Sequence, residues 1–185
     1  WASAAFEIGD AHAALAHGVA RFASACALAE LALKAAPAEP HAGVFAAVAG
    51  GLSALAAAPE GDLEATALAA CWALVVALGF SPSLDRCVSC GVPVEGAVHF
   101  SAAAGGALCA SHRSGAGGVT KLVHADRDAL AALVAGLLPD PPLDARHAAS
   151  HRRLLLSFIR YHLAEDRPLP AMAFWDQSEW TATSS

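Results

Sequence analysis

The chain has 185 residues and a mass of 18.6 kDa, enough for one domain with a sizeable core and a small appended module. Hydrophobic residues make up 56% and charged residues 15%, against a usual charged share of about 25%, which excludes disorder as the main state. Alanine abounds and β-branched residues are few, which argues against a β-sandwich, and a net charge of -6 excludes a chain that wraps nucleic acid by bulk charge.

The charge is uneven. Residues 1–79 carry Arg21 and Lys34 against Glu7, Asp10, Glu30, Glu39, Glu60, Asp62 and Glu64. Between 146 and 167 the balance reverses: Arg146, Arg152, Arg153, Arg160 and Arg167 face only Glu165 and Asp166. An anion-binding surface is therefore expected toward the C-terminus. The first residue is Trp1, as expected of a fragment, and no basic segment leads into an apolar run with a cleavage site, so no signal peptide is expected. The span 40–59 has no Asp, Glu, Lys or Arg. Its Ala and Gly content, His41 and bounding prolines predict a buried bundle helix rather than a membrane span.

In chain order, a first helix is predicted over 10–35, with Leu15, Val19, Phe22, Cys26, Ala29 and Leu33 as its buried stripe. Pro37 and Pro40 end it. A second helix is predicted over 43–57, with Val44, Val48, Leu52 and Leu55 inward and Gly50-Gly51 either weakening it or admitting a close neighbour. Asp62 is expected to cap a third helix that ends at Gly79 and buries Leu68, Cys71, Trp72, Val75 and Leu78. From Ser81 to Gly118 the texture turns to Gly, Ser, Pro and Cys with short strand-like pieces. Helical pattern returns at Asp126, expected as a cap for a helix burying Leu130, Leu133, Val134 and Leu137. A last helix is predicted over 144–165, stopped by Pro168 and Pro170, before a polar tail. The fold class expected is mainly α: a helical bundle with a small inserted zinc-ribbon-like β module. Residues 1–80 form its first helical part, 81–118 the module, 119–175 the remaining helices and 176–185 a disordered tail.

Cys87-Val88-Ser89-Cys90-Gly91 is one half of a metal knuckle, and Cys109-Ala110-Ser111-His112 has the spacing of the other. Two ligands three residues apart fit one tight turn, and Gly91 permits positive φ just after the second thiolate. The 18 residues between Cys90 and Cys109 suit a hairpin with arms at 94–100 and 106–108. Three thiolates and an imidazole make a closed structural zinc set, and soft sulfur disfavours magnesium or calcium. A disulfide or plain reduced thiols fit the paired spacing less well. His99 lacks a partner three residues away. Arg86 and Arg113 flank the knuckles and can offset the charge of three thiolates around a divalent ion. A haem-attachment motif needs His where Gly91 stands, and a zinc deaminase needs a His-x-Glu that is absent. A dithiol redox role leaves Cys109 and His112 unused, and Cys26 and Cys71 read as core.

Arg146, Arg153, Arg160 and Arg167 recur every seven residues, which places them on one helical side, and Arg152 broadens the row. Leu155, Ile159 and Leu163 take the other side, with Leu156 nearby. The row reads either as a solvated helix surface or as a binding strip for phosphates or an acidic peptide, formed by Arg146, Arg152, Arg153 and Arg160. Arginine throughout favours fork-like contacts to carboxylate or phosphate.

Three segments carry a family resemblance. Leu78-Gly79-Phe80-Ser81-Pro82-Ser83-Leu84-Asp85-Arg86-Cys87-Val88-Ser89-Cys90-Gly91 joins a helix end to a knuckle; Phe100-Ser101 and Gly105-Gly106-Ala107-Leu108-Cys109 lead to the second knuckle; Arg153-Leu154-Leu155 through Tyr161-His162-Leu163 and Arg167-Pro168-Leu169 close the last helix. Over roughly residues 10–175 the chain resembles the bacterial RecO recombination mediators. The resemblance implies a cytoplasmic, nucleoid-associated, non-enzymatic DNA repair and recombination protein that contacts no membrane. It would hold one structural zinc ion, bind single- and double-stranded DNA, anneal strands, and work with RecR and single-strand-binding protein (SSB) in loading RecA. Two departures are expected to matter: of the family's N-terminal OB-fold at most a last strand survives around residues 4–8, and His112 stands where a fourth Cys is usual. A zinc-stiffened helical protein-interaction module unrelated to DNA is the alternative, and an enzyme using zinc-bound water or the dithiol a third reading.

Overall fold

The computed structural model describes residues 10–113, 118–164 and 167–177. The strand expected around residues 4–8 and all but the start of the expected tail lie outside the described residues. Among the described residues the chain forms six α-helices and one small sheet. A 3-10 helix, Asp10–Ala16, leads into α1 (Val19–Ala35), α2 (Ala42–Ala57), a second 3-10 turn (Glu60–Asp62) and α3 (Leu63–Ala77). Strands β1 (Val98–Ser101), β2 (Gly106–Leu108) and β3 (Val119–Leu122) follow, then α4 (His124–Val134), α5 (Ala145–His162) and α6 (Pro170–Asp176).

Helix α3 is the centre of the bundle. Leu68, Cys71, Trp72, Leu74 and Val75 are all buried, and Trp72 packs tilted against Phe158 of α5, with ring centroids 5.1 Å apart. Its end follows from Gly79: φ is +93, the Gly79 N–H donates to Val76 and the Phe80 N–H to Val75, the paired bonds of a Schellman cap. Its start differs from expectation. The Asp62 side chain caps nothing; its backbone belongs to the 3-10 turn, and its carbonyl accepts from the Thr66 hydroxyl. Helix α2 approaches α3 closely because Gly51 has no side chain: a Cβ there would lie 2.7 Å from Leu28 Cδ2 and 3.0 Å from Ala70 Cβ.

The first helix departs most from the sequence reading. Gly18, at φ +91, breaks the span 10–35 into a 3-10 helix and α1. The expected stripe is only partly inside: Leu15 is buried and Cys26 and Ala29 are half-buried, but Val19 and Phe22 are more than half exposed and Leu33 is 85% exposed, while Ala23, Ala27, Leu28 and Leu31 are buried. The inner side carries Leu28 and Leu31, and the alanines around them let neighbouring helices come close. Arg21 is buried on the same inner face, donating to the carbonyls of Leu55 and Ala58 at the end of α2 and to Glu60. Asp126 lies inside the first turn of α4, whose N-cap is Val123, and Leu137 is exposed beyond its end. Helix α5 begins at the Asp144 cap, whose carboxylate accepts from the His147 N–H at 2.8 Å. Pro170 does not only stop a helix; it opens α6, where a missing N–H costs nothing.

The sheet has the order β2-β1-β3, with both pairs antiparallel. Its inner residues Val98, Phe100, Ala107, Leu108 and Leu122 join the same hydrophobic cluster as Trp72, Leu155 and Phe158. The small sheet thus rests on α5, with Phe100 and Phe158 at 6.5 Å.

Candidate metal centre and basic face

Short-range bonds build the first knuckle. The Gly91 N–H donates to the Cys87 carbonyl at 2.8 Å with φ +73, which closes the turn just past Cys90. The Cys87 N–H donates to Val92 at 2.8 Å. The segment is then stitched to β2: Ala107 donates to Ser83 at 2.7 Å, and Val88 donates to Ala107 at 2.9 Å. Gly106 makes this possible, since a Cβ there would run into the Ser83 backbone. β2 ends at Leu108, so Cys109 emerges beside the first turn, and His112 donates back to the Cys109 carbonyl at 3.0 Å.

The ligand atoms of Cys87, Cys90, Cys109 and His112 all lie within 4.8 Å of one another. Among the described residues, these are the His, Cys, Asp and Glu side chains that converge tightly enough to hold a metal ion. The Sγ atoms of Cys90 and Cys109 are 3.9 Å apart, and His112 Nδ1 is 3.1 Å from Cys109 Sγ and 3.9 Å from Cys87 Sγ. Cys87 is buried, Cys109 half-buried, and Cys90 and His112 exposed. The Cys109 N–H, donating to the Cys87 sulfur, holds that thiol below its ordinary range, which favours the thiolate a metal requires. Three sulfurs and one imidazole nitrogen suit a tetrahedral ion and fill its shell, the arrangement of a structural rather than a catalytic site. His99 turns away, its Nε2 3.4 Å from Arg113, and Arg86 reaches across the knuckle to the Gly91 carbonyl.

The arginine row divides. Arg146, Arg153 and Arg160 are exposed along α5. Arg152 is not part of that surface. It is buried, with Nη1 2.5 Å from Glu64, Nε 3.2 Å from Asp176 and its guanidinium 5.7 Å over the Trp175 ring. Burial raises the Glu64 pKa, with the Arg152 charge opposing the shift. Sequence spacing could not reveal this network, because Glu64 lies 88 residues from its partner. Arg160 instead borders a cleft of about 480 Å³ with Leu156, Leu169 and Ala173 on its wall, a feature with no signal in the sequence.

Fold and site together define a mainly helical protein whose small antiparallel sheet presents a cluster of three cysteines and one histidine. A family model described as the C-terminal part of recombination protein O matches residues 17–170, and the chain belongs to that family. It is 37% identical over 145 residues to a protein named DNA repair protein RecO from Anaeromyxobacter dehalogenans strain 2CP-C, and 36% identical over the same length to its namesake in Anaeromyxobacter sp. strain K. Each alignment covers 75% of this chain and 55% of the relative, so the chain spans about half the length of the curated relatives it matches. No solved structure matches. Among the described residues no helix is long and apolar enough to cross a membrane.

Proposed function

We propose that the chain is the helical, zinc-holding part of a RecO-type recombination mediator, acting in DNA repair by binding rather than by catalysis. The observation that carries this reading is the family match over residues 17–170, which takes in both knuckles and the arginine-bearing helix. Zinc is the ion of choice: a tetrahedral ion with zinc–sulfur bonds of about 2.3 Å spaces its sulfurs about 3.8 Å apart, beside the 3.9 Å between Cys90 and Cys109. Its role is to cross-link the two knuckles that frame the sheet. The exposed arginines Arg146, Arg153 and Arg160 are the proposed contacts to DNA phosphates or to the acidic tail of SSB. The cleft beside Arg160, walled by Leu156, Leu169 and Ala173 together with the polar Arg167, Asp176 and Gln177, supports the peptide, which needs somewhere to seat an apolar residue next to its charges. RecR, RecA loading, strand annealing and a place at the cytoplasmic nucleoid come with the family reading.

The test is binding of single-stranded DNA and of an acidic SSB-tail peptide by this chain and by Arg153→Ala/Arg160→Ala. With net charge -6 the chain is expected to bind DNA weakly and with steep salt dependence. The double variant should lose most of that binding at unchanged helicity. Equal affinity of both proteins for both ligands would return the row to a solvated helix surface and favour the interaction module unrelated to DNA.

A further inference from the structure

Two of the three cysteines in the cluster are open to solvent and the third is not. Cys90 is exposed and Cys109 half-buried, whereas Cys87 is 1% exposed and belongs to the core cluster. The exposed pair is already close, with Sγ to Sγ at 3.9 Å. A disulfide needs about 2.05 Å between sulfurs, so the pair is already within reach of a bond once the sulfurs turn toward each other.

We propose that Cys90 and Cys109 form a peroxide-sensitive thiol switch, whose closure into a disulfide empties the metal site. The disulfide rests on geometry; the emptying rests on the zinc reading above. In the first step the Cys90 thiolate attacks one oxygen of hydrogen peroxide, the O–O bond breaks, hydroxide leaves, and Cys90 becomes a sulfenic acid. In the second the Cys109 thiolate attacks the Cys90 sulfur, the S–S bond forms, and a second hydroxide leaves. Two electrons pass from the two sulfurs to the peroxide, and two protons from solvent convert both hydroxides to water. Exposure favours Cys90 as the first to react, with Cys109 resolving because its sulfur is next to it, and the reverse order closes the same disulfide. Cys87 and His112 then remain, and two donors hold a divalent ion far more weakly than four. Cys71 stays outside this chemistry, since burial pushes its thiol up to about 12.

The experiment treats the zinc-loaded chain with stoichiometric hydrogen peroxide. Released zinc is followed with a chromogenic chelator and the cysteines are mapped by differential alkylation and peptide mass spectrometry. The expected result is one Cys90–Cys109 disulfide, Cys87 still alkylatable, about one zinc released per disulfide, and recovery of both thiols and metal with dithiothreitol and added zinc. The metal-free chain should give the same disulfide, Cys87→Ser should still form it, and Cys109→Ser should stop at a Cys90 oxygen adduct. A disulfide that includes Cys87, or zinc retained after the Cys90–Cys109 bond forms, overturns the switch. A purified chain that cannot be loaded with zinc overturns the emptying together with the metal reading, and the mapping of the metal-free sample then decides the disulfide alone. DNA binding enters none of these readouts, so failure of the recombination reading leaves the switch standing or falling on its own chemistry.

Discussion

The Nε2 atom of His162 lies 2.7 Å from the carbonyl oxygen of Ala102, so the last turn of α5 is bonded to the turn between β1 and β2. The proton must sit on Nε2 for this bond. The same imidazole lies 4.4 Å from the Phe158 ring and 6.1 Å from Phe80, which puts it at the junction of sheet, α5 and the end of α3. His162→Ala removes one of two donors to the Ala102 carbonyl, which keeps the Gly105 N–H at 3.2 Å, and removes the ring contact, a loss of about 1 kcal/mol. Urea unfolding should show that loss, zinc content should stay unchanged, and His162→Gln should recover part of it by restoring a donor.

Neighbouring arginines should behave oppositely. Arg152→Ala leaves Glu64 partly buried beside no cation, and because the Glu64 side chain keeps 30% of its exposure the cost falls toward the low end of a broken buried pair, about 2–3 kcal/mol. Arg153→Ala, one residue on but exposed, should change stability by less than about 0.5 kcal/mol. Chemical denaturation of the two variants side by side checks both, and equal losses would contradict the division of the row.

Adjacent glycines of α2 make a second contrast. An added methyl at Gly50 meets nothing within 4 Å, so Gly50→Ala should stabilise by about 0.5–1 kcal/mol through helix propensity. At Gly51 the methyl would press on Leu28 and Ala70, and overpacking of about 1–3 kcal/mol should outweigh the propensity gain. Thermal midpoints moving in opposite directions are the expected outcome.

His151 should make the fold sensitive to mild acid. It is buried on α5, neither ring nitrogen has a partner among the described residues, and burial lowers its pKa, with Asp126 pulling upward and His147 downward. Above about pH 6.5 the imidazole is neutral in both folded and unfolded chains. Below that the unfolded chain takes the proton first, so stability falls with pH until the folded imidazole also titrates. His151→Leu removes this contribution. Urea midpoints at about pH 7.5 and about pH 5.5 should therefore differ less in the variant than in the wild type, and an unchanged difference would place the acid sensitivity elsewhere.

Cys90→Ser should abolish tight zinc binding, because a neutral hydroxyl replaces a thiolate in the donor set. The helices should persist, since the core of α3 and α5 draws on Trp72, Leu155 and Phe158 rather than on the knuckles. The sheet shares that core, so the variant should unfold at lower urea than the wild type. Metal analysis with far-ultraviolet circular dichroism reads both effects, and loss of all helicity would show that the metal holds the bundle as well as the module.

Features closed within a few residues were legible in the chain itself. The knuckle spacing of Cys87 with Cys90 and Cys109 with His112, the Gly91 turn, the Gly79 cap and the inward Leu155 and Ile159 of α5 depend on local bonds and on periodicity, and both are written in sequence order. The convergence of the two knuckles was implied by ligand chemistry, but it is carried out by β2, which hydrogen-bonds to Ser83 and Val88 across a gap bridged by a side-chain-free Gly106. Tertiary packing alone decided which side of α1 is inside. Both its sides carry apolar residues, so the period admits two answers, and the side of Leu28 and Leu31 wins because the alanines around them let α2, α3 and α6 come close. Packing alone also withdrew Arg152 from the exposed row, because its carboxylates, Glu64 and Asp176, come from helices distant in the chain and meet it only when α3, α5 and α6 assemble.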